Sequence, residues 1–343
     1  MKALAFNAFG GPENLALQDV PDPKIGEHDV LLRVRACALN HVDLFVREGL
    51  PVLRTPLPFW TGCDIAGNVV EIGAEVRAVA VGERVVVNPS LSCGHCEFCL
   101  RGEDCLCLSY GLVGEHVPGG MAELVKVPAD NVLKLPDHVS YEDGAAFVLT
   151  NMTAWRMVVT QAQLRPGQDV LILGVGGGVS SAALQIAKLG GARVIVTSSS
   201  DAKLERAREL GADVTINYQK QDWARTVRDL TRHRGVDVVV ENVGAATWKH
   251  SLRALCKGGR LVTCGATTGP IGETDIRVVF WNQLHIIGST MATRKEFQDV
   301  TRLFFAGKLR AIVDEVVPLA EGAAAQRRLA EGTQFGKIVL RVA

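Results

Sequence analysis

The chain has 343 residues, 48% of them hydrophobic and 22% charged, with Lys plus Arg equal to Asp plus Glu at 37 each. That is more than one core usually serves, so two domains are expected. A formal net charge of zero, with no run of basic residues, excludes an overall field that would draw the chain to nucleic acid or an anionic membrane.

The opening MKALAFNAFGGPE is too short and too broken by Asn and Gly for a secretory h-region, and no apolar stretch approaches the ~20 residues that span a bilayer. A cytoplasmic location is expected, where thiols stay reduced and clustered cysteines favour metal over disulfides. The first third then reads as short strands. In VLLRVRA, Leu32, Val34 and Ala36 alternate with Leu31, Arg33 and Arg35, the period of a half-buried strand. AGNVVEIG and GERVVVNP repeat the type, each stopped by Gly or Pro, which predicts a small β-barrel.

CGHCEFCLRGEDCLC follows, with five of the chain's nine cysteines. Cys93, Cys96, Cys99 and Cys107 have the spacing C-x2-C-x2-C-x7-C, and four thiolates close a tetrahedral zinc site with no position left for water or substrate. Such a metal holds a loop and catalyses nothing. Incidental thiols are the plainer alternative, and iron–sulfur lacks a matching cluster spacing. Cys105 is a spare thiol that could exchange with Cys107, which is the preferred ligand.

After about Thr150 the rhythm changes. DVLILG, ARVIVT, VDVVVENVG, GRLVTCG and LHIIGST are apolar runs, several separated by helix-length segments. In VSSAALQIAKLG, Val179, Ala182, Ala183, Ile186 and Ala187 recur at helical spacing. Strands apolar on both faces, alternating with helices, predict a doubly wound parallel sheet. Cys256 and Cys264 flank one of these runs and are expected in the core. VLILGVGGGVSS is strand, glycine turn and helix start: Gly174, Gly176, Gly177 and Gly178, with Val179 behind them, allow a pyrophosphate to approach backbone N–H groups at a helix N-terminus. The tail beyond about Ala292 ends in GKIVLRV and is expected to rejoin the first domain.

The cysteine run, GCDIAG, the glycine turn and the terminal GKIVL together resemble the medium-chain dehydrogenase/reductase superfamily, over nearly the whole chain. The resemblance implies an α/β fold in which a Rossmann domain (151–292) sits between two parts of a GroES-like β-barrel domain (1–150 and 293–343). It implies a nicotinamide cofactor and a homodimer or homotetramer joined near LHIIGST. Ser180 follows the glycine turn; in the quinone-reductase branch of the superfamily, which this stretch resembles, a glycine stands there, and the resemblance implies slightly looser helix–strand contact. Ser198 falls where the family's NAD-binding members carry an acid, and Lys203 and Tyr218 match the Lys and Tyr that the quinone-reductase branch uses on the 2′-phosphate. NADP(H) is therefore expected over NAD(H), the alternative being that Asp201 reaches the ribose. Lys337, in GKIVL, is assigned to the cofactor set by the same resemblance.

The family's zinc alcohol dehydrogenases hold a second, catalytic metal. Its ligand positions here are Asn40, Cys63 and Thr150, with Asp43 and Asp64 retained nearby. An amide and a hydroxyl are poor zinc ligands, and one thiolate is too few. His41 and His116 are candidates for a rebuilt site, though a His beside a cleft is more often a hydrogen-bonded neighbour than a ligand. Without a metal, hydride transfer suits acceptors that delocalise negative charge, such as quinones and α,β-unsaturated carbonyls. Asn40 is either an amide donor to the acceptor oxygen or a satisfied structural amide. The expected function is an NADP(H)-dependent reductase with one structural zinc. Its alternatives are an alcohol dehydrogenase with a remodelled site and a non-catalytic NADPH-binding sensor. The loop REGLPVLRTPLPFW, with Trp60, is expected to line an apolar pocket.

Overall fold

A computed structural model describes residues 1–50 and 55–342. Residues 51–54 of the Trp60 loop lie outside the described part. The chain divides into two units, Met1–Leu149 with Thr293–Ala343, and Thr150–Ala292. Among the described residues no helix is long and apolar enough to cross a membrane.

The first unit begins with a hairpin of β1 (Lys2–Phe6) and β2 (Leu15–Asp19). Next come β3 (Asp29–Ala38), α1 (His41–Glu48), β4 (Asp64–Ile72) and β5 (Arg84–Val87). The cysteine lobe follows, between β6 (Ser90–Leu91) and β7 (Gly111–Leu112), and contains the short α2 (Glu97–Leu100). β8 (Leu124–Pro128), β9 (Val132–Lys134) and the part of α3 (Tyr141–Trp155) up to Leu149 complete this part. Val30, Leu32, Val34 and Ala36 are fully buried while Arg33 is exposed, so the alternation in VLLRVRA does set the inner face of β3.

The second unit is a six-stranded parallel sheet. Its strands are β10 (Asp169–Ile172), β11 (Arg193–Ser198), β12 (Val214–Asn217), β13 (Val236–Glu241), β14 (Leu255–Thr263) and β15 (His285–Gly288), in the order β12-β11-β10-β13-β14-β15. Val170, Leu171, Ile172, Val238, Val239 and Val240 are all fully buried, as strands covered on both faces require. Between the strands run α4 (Gly178–Leu189), α5 (Asp201–Glu209), α6 (Trp223–Leu230), α7 (Trp248–Ala254) and α8 (Ile276–Asn282). The chain winds outward from β10 to β12 and then returns to β13 on the other side of β10. That reversal opens a crevice at the carboxyl ends of β10 and β13, where ligands of open α/β sheets bind. β12 leaves no apolar run in the sequence, because it has four residues and two of them are Thr215 and Asn217. Cys256 is buried inside β14, and Cys264 is half-buried just beyond it.

The tail contributes α9 (Arg294–Phe305), β16 (Val313–Pro318), α10 (Gly322–Glu331) and β17 (Lys337–Arg341). β17 pairs antiparallel with β3, which places the tail in a seven-stranded sheet of order β16-β17-β3-β4-β5-β9, with β8 also on β3.

Candidate functional site

The lobe between β6 and β7 gathers the sulfurs of Cys93, Cys96, Cys99 and Cys107 within 4.8 Å of one another. Cys96 and Cys99 sulfurs are 3.5 Å apart and Cys93 and Cys99 sulfurs 4.0 Å. Tetrahedral zinc with ~2.3 Å bonds needs sulfurs about 3.8 Å apart, so the set fits zinc and leaves no open position. Backbone N–H groups point at two of the sulfurs: Cys96 N donates to Cys93 Sγ at 3.3 Å, and Cys93 N to Cys107 Sγ at 3.2 Å. The backbone N–H of Cys99 leads the groups that lower the Cys96 thiol to about 6. Cys105 is buried two residues before Cys107 and is not one of the four.

In the second unit, β10 runs into the glycine turn. Gly174 and Gly176 hold φ of 62° and 120°, which L side chains rarely adopt. α4 begins at Gly178 with no side chain capping it, so N–H groups of Gly178 and Val179 remain for an anion. A Cβ added at Gly176 would lie 2.8 Å from Lys203 Cδ, so the Lys203 stem passes over the turn. Ser180 packs more tightly than expected. It is fully buried, its hydroxyl donates to Leu173 O at 2.7 Å, and it accepts from Asn242 Nδ2 at 3.1 Å. The serine pins the helix to the strand end instead of loosening it.

Ser198 closes β11 and is buried, while Tyr218, whose N–H donates to Ser198 O at 3.1 Å, is exposed. Asp201 is committed elsewhere. It accepts from Lys220 Nζ at 2.5 Å and Asn217 Nδ2 at 2.7 Å, and the Lys220 contact is the main cause of its lowered pKa.

Three neighbouring strands of the first unit bring Asn40, Asp64 and Lys337 together. Asn40 ends β3 and opens α1, Asp64 begins β4 opposite Ala38, and Lys337 begins β17. Gly336 makes this placement possible, because a Cβ there would lie 2.2 Å from Ile312 O. Lys337 Nζ donates to Asn40 Oδ1 at 2.5 Å and to Asp64 Oδ2 at 2.9 Å. Asn40 Nδ2 donates to Asp64 Oδ2 at 2.9 Å and to Ala38 O at 3.4 Å. Asp64 Oδ1 accepts from Leu149 N at 2.7 Å. The Asn40 amide is therefore occupied at both ends, as a satisfied structural amide is. Lys337 lies in this buried cluster of the first unit, whereas the glycine turn, Ser198, Lys203 and Tyr218 belong to the second. The signal for it in the sequence is a lysine heading the apolar run Ile338, Val339 and Leu340.

These donors do not fit a catalytic metal. The Asn40 oxygen and the Asp64 carboxylate are held by an ammonium. Cys63 is fully buried, and burial, followed by the charges of Asp43 and Asp64, keeps its thiol well above the ordinary range and thus protonated. Thr150 is buried in α3, just past the boundary with the second unit. His41 is half-buried, and burial followed by the Lys337 charge lowers its pKa. His116 is exposed, with Nδ1 accepting from Leu112 N at 3.1 Å. Among the described residues, only the four lobe cysteines converge as a group of three or more Cys, His, Asp or Glu ligands. Trp60 lines an apolar groove of about 420 Å³ with Pro21, Pro23, Val113, Pro118 and Val125, none of which belongs to the Asn40 cluster.

Residues 26–137 match the family model of the alcohol dehydrogenase GroES-like domain, and residues 178–306 that of the zinc-binding dehydrogenases. An alcohol dehydrogenase of Geobacillus stearothermophilus is 35% identical over all of both chains. A quinone oxidoreductase of Mus musculus is 30% identical over 99% of this chain and 97% of its own. A crystal structure of an NAD-dependent alcohol dehydrogenase superposes with a TM-score of 0.96 at 46% identity, covering all of both chains.

Proposed function

The chain belongs to the medium-chain dehydrogenase/reductase superfamily and is an oxidoreductase of that type; we propose that it reduces quinones or α,β-unsaturated carbonyls with NADP(H) and no catalytic metal. The observation that carries this reading is the Lys337 ammonium bridging Asn40 and Asp64. At these positions a protein cation already balances the carboxylate, and among the described residues no group of three or more Cys, His, Asp or Glu donors gathers there for an ion. A simple ketone needs a strong Lewis acid to accept hydride, whereas a quinone or enone spreads the developing charge over its own π-system. The bound nicotinamide supplies the hydride; the glycine turn and the α4 N-terminus hold its pyrophosphate.

Preference for NADP(H) rests on Ser198 at the end of β11, on the commitment of Asp201 to Lys220, on Lys203 over the glycine turn, and on Tyr218, whose N–H donates to Ser198 O. Asp201, held by Lys220 and Asn217, is not offered to ribose hydroxyls, and Ser198 carries no charge to repel a 2′-phosphate. The 46%-identical NAD-dependent relative sets the opposing expectation. It also favours the second reading, alcohol oxidation, which would need a metal at donors that Lys337 now occupies. The lobe cysteines hold one structural zinc, and the unpaired edge strand β15 joins chains into a homo-oligomer.

The test is NADPH consumption over a panel of quinones, enones and simple ketones, run beside alcohol oxidation with both NAD⁺ and NADP⁺. Turnover confined to conjugated acceptors supports the proposal. Turnover confined to alcohols and simple ketones overturns it.

A further inference from the structure

The parallel sheet of the second unit holds its glycine turn at the carboxyl ends of the strands, and a separate pocket of about 380 Å³ lies at their amino ends. Arg228, His233, Arg234 and Lys257 line it, with Cys256 and Asn282, and no Asp or Glu does. They come from the last turns of α6 and α8, the turn before β13 and the start of β14.

Arg234 and the His233 ring already have carboxylate neighbours. Arg234 Nη2 lies 2.5 Å from Asp237 Oδ1, and His233 Nδ1 is 3.9 Å from Asp229 Oδ1. The side chains of Arg228 and Lys257 have no hydrogen-bond or ion-pair partner among the described residues. A basic residue in a helix's last turn ordinarily complements the negative end of that helix, which accounts for Arg228 alone. It does not account for Lys257 on a strand, nor for two unpaired cations from different elements facing one cavity. The turn before β13 carries backbone strain. Arg232 and His233 take positive φ of 50° and 64°, fixed by His233 N donating to Arg228 O at 2.7 Å and Gly235 N to Thr231 Oγ1 at 2.9 Å.

We propose that this pocket binds a small, soluble phosphate-bearing molecule. Arg228 and Lys257 engage the phosphate by charge-assisted hydrogen bonds, and the organic part rests over Leu255 and Cys256. The volume exceeds that of a bare phosphate and lies within the usual span of small-molecule sites, roughly 300–1,000 Å³.

Inorganic pyrophosphate is the probe, titrated calorimetrically into the full chain saturated with NADPH or NADH, whichever binds, so that the glycine turn is filled. The expected result is one saturable site per chain, weakened about tenfold or more in the double variant Arg228→Ala, Lys257→Ala, through loss of two charge-assisted contacts. Both side chains are unpaired, so the variant should fold and keep its turnover. Arg225→Ala, on the same helix but outside the lining, should bind as the parent does. Absence of saturable binding, undiminished binding by the double variant, or an equal loss from Arg225→Ala would each overturn the proposal. Because the readout is binding beside a filled cofactor site, its failure is distinct from a failure of the proposed reaction.

Discussion

The Lys337 ammonium lies 2.9 Å from Asp64 Oδ2, and the two side chains are 5% and 0% exposed. A buried pair is weak evidence of net stabilisation, but removing one partner strands the other in a poorly solvating interior, at a cost of about 3–5 kcal/mol. Lys337→Met should therefore destabilise the chain by that order in urea unfolding. Adding Asp64→Asn should recover much of the loss. A double variant as unstable as the sum of the singles would mean that the two groups do not act as a pair.

Asp43 offers a pH signature. It accepts from Asn40 N at 2.7 Å and Gly62 N at 2.9 Å, yet burial outweighs these bonds and pushes its carboxyl up to about 6. The folded chain thus holds this proton more tightly than the unfolded chain, whose Asp ionises near 3.8. The stability this contributes is full below pH 3.8 and is lost as pH rises through about 6. Between pH 7 and pH 5 the wild type should gain stability relative to Asp43→Asn, which lacks the group. Parallel melting-temperature profiles of the two proteins over that interval would contradict the assignment.

Cofactor choice turns on Lys203 and Tyr218. Lys203→Ala combined with Tyr218→Phe should weaken NADPH about tenfold or more, equivalent to ~1.4 kcal/mol, and leave NADH nearly unchanged. Fluorescence titration of each nucleotide reads this directly. Equal weakening of both would place the two residues away from the 2′-phosphate.

Among the described residues β15 ends the sheet with one edge unpaired, and Ile286 on it is exposed, as are Ile276, Phe280 and Trp281 of α8. Such an edge invites pairing with a second chain. Ile286→Glu with Trp281→Glu should shift the mass in light scattering from an oligomer to one chain of 36.8 kDa. A wild type that is already monomeric would refute the interface.

Much of this molecule could be read before its coordinates. Alternation in VLLRVRA and apolar runs bounded by glycine reveal β3 and five strands of the parallel sheet, because burial on one or both faces leaves a direct trace in the side chains. The cysteine spacing likewise gives the four sulfurs. What stayed hidden depends on partners distant in sequence. Asn40 can be read as a free amide donor until Lys337, 297 residues later, arrives at its oxygen. Arg47 resembles an exposed helix residue, yet it is buried, donating to Gly10 O and to Gln326 Oε1. No local pattern signals either pairing, since each is set by which strands and helices become neighbours.

The most direct test of the account is a count of zinc atoms per chain in a preparation that turns over. One zinc, lost on Cys96→Ser and unchanged on Cys63→Ser, is the predicted result. Two zincs, the second released by Cys63→Ser together with activity, would contradict the reading that Lys337 stands where a catalytic metal would.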